Sequence, residues 1–210
     1  MRVPIILLLT LLLISASARG ETNEMPASRG TASVSPGGKY SPLTPGEKFK
    51  LSLQSTASPL PIAASVFSAG YNQAVDSVPE WGQGMEGYGK RFASSIGQKA
   101  ISNTIDSGLK ILLREDPRYF HSDRQGIRAR TLYAIGETFV VHKDYGGTRP
   151  NYSWFAGAAS GVFLSRRWHP ENDRNAEDYI WSAASAIGVQ SAKNVFREFW
   201  PDIKKIFFKK

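Results

Sequence analysis

The sequence predicts an all-α fold, a compact helical bundle whose helices approach one another through glycine and alanine. Three observations carry this expectation. Small and apolar residues recur at helical spacing in two long stretches, between residues 86 and 114 and between residues 173 and 199. Prolines and short hydroxyl residues stand where helices start and stop. No segment alternates apolar and polar residues between hairpin turns, whereas an outer-membrane barrel needs many alternating segments of about ten residues. A length of 210 residues, with 41% hydrophobic and 21% charged residues, fits one globular domain.

The elements follow in order. Arg2 and the apolar run Val3 to Ile14, followed by Ala16-Ser17-Ala18, have the form of a secretory signal peptide, residues 1–18, cut after Ala18. The run is shorter than the roughly 20 residues that span a bilayer. No cysteine follows it, which excludes lipoprotein processing. Residues 19–43 are rich in Ser, Gly, Pro, Thr and Ala and read as a disordered linker. The helical domain, 44–210, begins at Thr44-Pro45-Gly46-Glu47, a capping box with proline at the first helical position. A short helix runs to about Gln54. Ser58-Pro59 starts a second, which Pro79 stops.

In the long stretch from Glu86 to Arg114, residues Gly89, Ala93, Gly97, Ala100, Thr104 and Gly108 share one helical sector. Arg91, Gln98, Lys99, Ser102, Asp106 and Lys110 lie opposite. Glycine costs about 1 kcal/mol in a helix interior, so the stripe is expected at the centre of the buried face, where a second helix comes close. Shorter helices are expected near Gly126–His142 and Ser153–Arg166. From Asp173 to Phe199, Trp181, Ala184, Gly188, Ala192, Val195 and Phe199 line one face, with Gln190, Lys193, Asn194 and Arg197 opposite. Pro201 is expected to end that helix, with a last turn at Ile203–Phe208. The small-residue faces also offer a route to a homo-oligomer.

The chain carries 26 Lys and Arg against 18 Asp and Glu, a net +8, and no cysteine. The missing cysteines exclude disulfide scaffolds, zinc fingers, iron–sulfur clusters and thiol nucleophiles. With an export signal, they suit a bacterial periplasmic or outer-envelope protein. Nucleic acid is then a poor partner despite the basic charge, and no motif calls for a cofactor. Much of the excess charge is at the end of the chain. Trp200, Ile203, Phe207 and Phe208 interleave with Lys204, Lys205, Lys209 and Lys210, a basic aromatic tail suited to an anionic membrane surface or acidic envelope polymer. The same residues also serve as a helix end whose lysines offset the dipole and whose aromatics cap the core.

Two groups of residues offer chemistry. All three histidines occur as His-x-acid: His121-Ser122-Asp123, His142-Lys143-Asp144 and His169-Pro170-Glu171. Imidazoles with nearby carboxylates can ligate a metal or act as general bases, but the spacings match no metal signature and no metal is assigned. Arg118, Arg149 and Arg166 are candidates for an anion site, since guanidinium binds phosphate and carboxylate bidentately. Acids nearby, Glu115, Asp116 and Asp123, favour internal ion pairs instead.

Two resemblances attach to these residues. Lys143 and Arg149-Pro150, then Ser165-Arg166, His169 and Asp173, resemble part of the phosphatidic-acid phosphatase signature over about 30 residues. This implies a phosphate cradle including Arg149 and Arg166, His169 as nucleophile and Asp173 as its partner. The lysine spacing is one short, and the Pro-Ser-Gly-His block with the second histidine is missing. The runs Glu86-Gly87-Tyr88-Gly89-Lys90-Arg91, Glu115-Asp116-Pro117-Arg118-Tyr119-Phe120 and Pro150-Asn151-Tyr152-Ser153 resemble a group of uncharacterised exported proteins of soil bacteria. That resemblance implies export and a common fold, and assigns no site. The expected function is a non-enzymatic, exported helical envelope protein, peripheral to a membrane or an acidic polymer. The alternative is a binding protein or degenerate phosphatase-like enzyme for a phosphate-bearing ligand.

Overall fold

The computed structural model describes residues 33–34, 41–171 and 176–207. The expected signal segment, most of the linker, Asp173, and Phe208, Lys209 and Lys210 lie outside them. The chain is mostly helical, and among the described residues no helix is long and apolar enough to cross a membrane. After the two-residue strand β1 (Ser33–Val34) come α1 (Pro45–Ala57), α2 (Pro59–Ala74), a 3-10 turn at Pro79–Trp81 and the 29-residue α3 (Gly84–Leu112). Then follow β2 (Tyr119–Phe120), which pairs in parallel with β1, and α4 (Ile127–Gly136). A hairpin of β3 (Val140–His142) and β4 (Thr148–Pro150) leads into α5 (Tyr152–Ser165) and the 32-residue α6 (Ala176–Phe207). Helix α3 is the hub, packed on α5, α2 and α1, while α6 packs on α4 and α5.

The start of α1 is the expected capping box. Glu47 N–H donates to Thr44 Oγ1 at 3.3 Å, and Thr44 N–H donates to the Glu47 carboxylate at 2.8 Å. Each satisfies a donor that the first helical turn leaves without a partner. The bond from Thr44 N–H, and a second from the Thr44 hydroxyl at 2.8 Å, hold the Glu47 carboxyl below its usual range.

Three expectations are corrected. The helix foreseen up to His142 ends at Gly136, and the following residues form the hairpin instead. Gly146 and Gly147 turn it with φ of +92° and +78°, a left-handed region open to glycine at little cost. The hairpin is also tied to the segment after α3, with Asp116 N–H donating to the His142 carbonyl at 2.8 Å and Asp144 N–H to the Arg114 carbonyl at 2.9 Å.

Pro201 does not end α6, which continues to Phe207. An interior proline removes one backbone donor and crowds the preceding turn. Arg130 of α4 braces the helix on both sides of it. Its guanidinium donates to the Glu198 carbonyl at 2.7 Å and to Asp202 Oδ2 at 2.6 Å.

The third correction concerns which faces are inside. On α3 the glycine stripe points outward: Gly89, Ala93, Thr104 and Gly108 are exposed, while Arg91 is buried. Close approach does occur, but through the glycines of α5 against the polar side of α3. A methyl group on Gly157 would lie 2.5 Å from the Ser102 carbonyl oxygen and 2.9 Å from Asp106 Cβ; one on Gly161 would meet the Ser102 hydroxyl and stand 2.9 Å from the Gln98 carbonyl. Likewise on α6, Asn194 and Glu198 are buried while Trp181 and Ala184 are exposed. Gly157→Ala is therefore expected to destabilise the fold by about 1–3 kcal/mol, despite alanine's better helix propensity. Gly108→Ala, with nothing within 4 Å of the added methyl, should stabilise it by about 0.5–1 kcal/mol. Urea unfolding of the two variants checks both signs.

Candidate functional site

The interior is held by ion pairs made between distant segments. Lys48 of α1 donates to Asp144 Oδ2 at 2.6 Å and to the Glu115 carbonyl at 2.7 Å, with both charged side chains buried. The fully buried Glu115 carboxylate accepts from Arg149 Nε at 2.8 Å and from the Ser153 hydroxyl. Asp116, also buried, takes a two-oxygen clasp from Arg118 Nε at 2.9 and 3.1 Å, and the Arg118 guanidinium also donates to the Ser41 carbonyl. At α6, fully buried Glu198 accepts from Tyr119 Oη at 3.0 Å, Ser122 N–H at 3.1 Å and Arg130 Nε at 2.8 Å. Burial and the adjoining Glu198 carboxylate push the Tyr119 phenol far above its ordinary value, so it stays a donor. Burial does the same for Tyr133, with Glu137 beside it.

These contacts give the three sequence runs a physical role as joints of the fold. In the run from Glu86, Arg91 donates to the Gly82 and Val78 carbonyls, both at 2.8 Å, and to Gln73 Oε1 at 2.6 Å, holding the turn before α3. Tyr88 Oη donates to the Val66 carbonyl of α2 at 3.1 Å. In the run from Pro150, Asn151 caps α5 by accepting from Trp154 N–H. Ser153 then joins α5 to Glu115.

The sequence-predicted anion ligands are not brought together. Arg149 is engaged by Glu115 and the Leu113 carbonyl, and Arg118 by Asp116. Arg166 donates to Ser182 Oγ of α6 at 2.9 Å and lies over the Tyr179 ring. Arg149 precedes the 14-residue α5 and Arg166 follows it, and at 1.5 Å per residue the helix sets their backbones about 20 Å apart. His169 Nε2 is 2.9 Å from Ser94 Oγ of α3, and its ring packs on Trp81.

The other two histidines have carboxylate neighbours from outside their own triplets. His121 Nδ1 is 3.6 Å from Glu198, and His142 Nε2 is 3.1 Å from Glu137. Among the described residues no group of three or more His, Asp or Glu side chains is placed to hold a metal ion.

Of the tail, Lys204 and Lys205 are exposed, and Ile206 is 75% exposed. Trp200 is half-buried, its ring tilted against Phe196 at 5.1 Å between centroids, with Lys204 Nζ 5.3 Å from its own ring centre. Trp200 thus packs on the body of α6 while the lysines stand in water. Phe207 is the last residue of α6.

A feature not foreseen from the sequence lies inside. Helices α3 and α6, β3 and the Asp116–Tyr119 segment line a polar cavity of about 50 Å³ that is partly open to solvent, with Lys110, His142, Asn194 and Arg197 among its walls. Arg197 Nε is buried there without a hydrogen-bond partner. Lys193, one turn earlier, keeps contact with water. The neighbouring Arg197 guanidinium, with Lys110 and Lys99, lowers the Lys193 ammonium below its ordinary value, and Asp106 opposes the shift. Burial also lowers Lys99 and Arg197. The available signal was the shortage of acids on the two polar stripes, which set Asp106 alone beside Arg91, Lys99, Lys110, Lys193 and Arg197. It went unread because both stripes were assigned to solvent.

The class this defines is a helical bundle with an ion-paired polar interior. Compared with protein-family models, curated proteins and solved structures, the chain gives no match.

Proposed function

We propose that this is an exported bacterial envelope protein that works by binding at an anionic membrane surface and not by catalysis. The observation that carries this reading is the distribution of side chains. The buried apolar set is small, Ala69, Val78, Tyr119, Ala134, Val141 and Val162, while large apolar side chains stand open on several helices. On α4 these include Leu132, Ile135 and Ile127, the last 77% exposed. That helix packs on α6, whose end carries Lys204, Lys205 and Ile206. An exposed apolar helix packed on one whose end carries lysines fits the boundary between headgroups and acyl chains. The leader-like residues 1–18 and the likeness of the three sequence runs to exported proteins support the envelope as its place.

Co-sedimentation of the full chain with vesicles tests this. Binding is expected to phosphatidylcholine vesicles containing phosphatidylglycerol, weaker at high salt and weaker still on phosphatidylcholine alone. Each lysine contributes about 1 kcal/mol at an anionic surface, so Lys204→Ala with Lys205→Ala should weaken binding by about 30-fold. His169→Ala should leave it unchanged. Failure to bind anionic vesicles at low salt would overturn the reading, and binding to an acidic envelope polymer alone would replace the membrane as partner.

A further inference from the structure

We propose that the cavity between α3, α6 and β3 is a binding site for a small phosphate-class oxyanion, held by Arg197 and Lys110 of its wall, with the exposed Lys193 adding positive charge nearby. It stands on the cavity and on Arg197, and does not depend on the surface reading.

The charges argue for it first. The acids of the cavity wall are already engaged, Asp116 by Arg118 and Glu137 by His142. Asp106 pairs with Lys110 at 2.7 Å. Lys99 donates to the Ser65 hydroxyl and the Pro61 carbonyl. No carboxylate pairs with Arg197 or Lys193 among the described residues. Two cations one helical turn apart, facing a third across the gap, repel one another. A buried Arg197 Nε with no acceptor loses its hydration without return. Such an arrangement lowers the stability of the empty fold, and residues that do so are characteristic of binding sites.

The shape and donors specify the ligand class. A cavity of about 50 Å³ takes a few waters or one compact oxyanion, not a nucleotide base or a sugar. The guanidinium of Arg197 presents a planar fork suited to two oxygens of a tetrahedral anion. Lys193 and Lys110 act as point charges. A dianion would place its charge between α3 and α6 and remove their mutual repulsion. Its source is either free phosphate or a phosphate monoester headgroup, since both present the same terminal oxygens.

The experiment uses the full chain, purified without phosphate, with thermal unfolding and titration calorimetry as readouts. Inorganic phosphate and sulfate at millimolar concentration should each raise the melting temperature, as any ligand of the native state does. Arg197→Met should weaken anion binding by about 10- to 100-fold, the usual cost of losing a charged hydrogen-bond partner. Lys193→Met should also weaken it, and both variants should melt higher than the parent in anion-free buffer. That rise shows the variants fold. Lys90→Met, on the exposed part of α3, should change neither quantity.

Sulfate keeps its charge near neutrality, so its affinity should fall as pH rises and Lys193, its proton loosened by Arg197 beside it, loses its charge. The fall should be absent in Lys193→Met. Vesicles containing phosphatidic acid provide the second arm. Protection by free phosphate identifies a soluble ligand, and protection by phosphatidic acid alone identifies a lipid headgroup; either supports the site. No shift with phosphate, sulfate or phosphatidic acid, or equal binding by Arg197→Met and the parent, overturns it.

Discussion

Glu198→Ala is expected to lower the unfolding free energy by about 3–5 kcal/mol, the usual cost of removing one partner from a buried charged network. Glu198 is fully buried at the point where α6 meets α4 and the segment after α3. Its loss leaves the buried Tyr119 hydroxyl without an acceptor and removes one of the two carboxylates that face Arg130. The phenol cannot compensate by ionising, because burial keeps it protonated. Glu198→Gln retains an acceptor for Tyr119 and Ser122 and should cost about 1–3 kcal/mol. Urea unfolding of both variants is the check. A loss under about 1 kcal/mol for the alanine variant would mean that α6 is held by its apolar contacts instead.

Lys48→Met should cost a similar amount, about 3–5 kcal/mol, for a related reason. Its ammonium joins α1 to the hairpin through Asp144 and to the segment after α3 through the Glu115 carbonyl. Methionine fills the space but leaves the Asp144 carboxylate buried and without its cation. The double change Lys48→Met with Asp144→Leu removes both charges and should recover most of the loss, since an apolar pair of similar volume is often as stable as a buried ion pair. A double-mutant cycle by urea unfolding separates the pair from the packing. Additive losses would show that the two side chains act independently.

Local signals were well represented in the sequence. The capping box at Thr44–Glu47 and the restart at Pro59 each involve groups within a few residues, and each occurs as expected, whereas α2 ends at Ala74, short of the Pro79 that was expected to stop it. The hairpin at Val140–Pro150 was missed because Val140, Val141 and His142 continue a helical spacing. Its turn depends on Gly146 and Gly147, and its stability on Asp116 and Arg114 far earlier in the chain. Pro201 misled for a similar reason, because the brace that tolerates it comes from Arg130.

The candidate site was hidden at the same level. Arg118, Arg149 and Arg166 drew notice because they cluster in sequence near loops, yet two of them are engaged by Asp116 and Glu115. Lys193 and Arg197 looked like a solvated stripe, and Lys193 is indeed exposed while Arg197 is not. Their interest comes only from meeting Lys110 and Lys99 of α3, more than 80 residues earlier.

By itself the sequence determined that the chain is helical, where most helices begin, and that each long helix has two unlike faces, because these follow from backbone capping and a 3.6-residue period. Only the tertiary structure decided which face is inward. A helix with one small-residue face and one polar face can bury either, depending on whether distant partners satisfy the polar groups. Here Arg91 and Lys99 of α3 find acceptors in the Gly82 and Val78 carbonyls and in Ser65 and the Pro61 carbonyl, and Glu198 of α6 finds Arg130, so those polar groups turn inward while Arg197, its Nε buried, is left without a counter-charge.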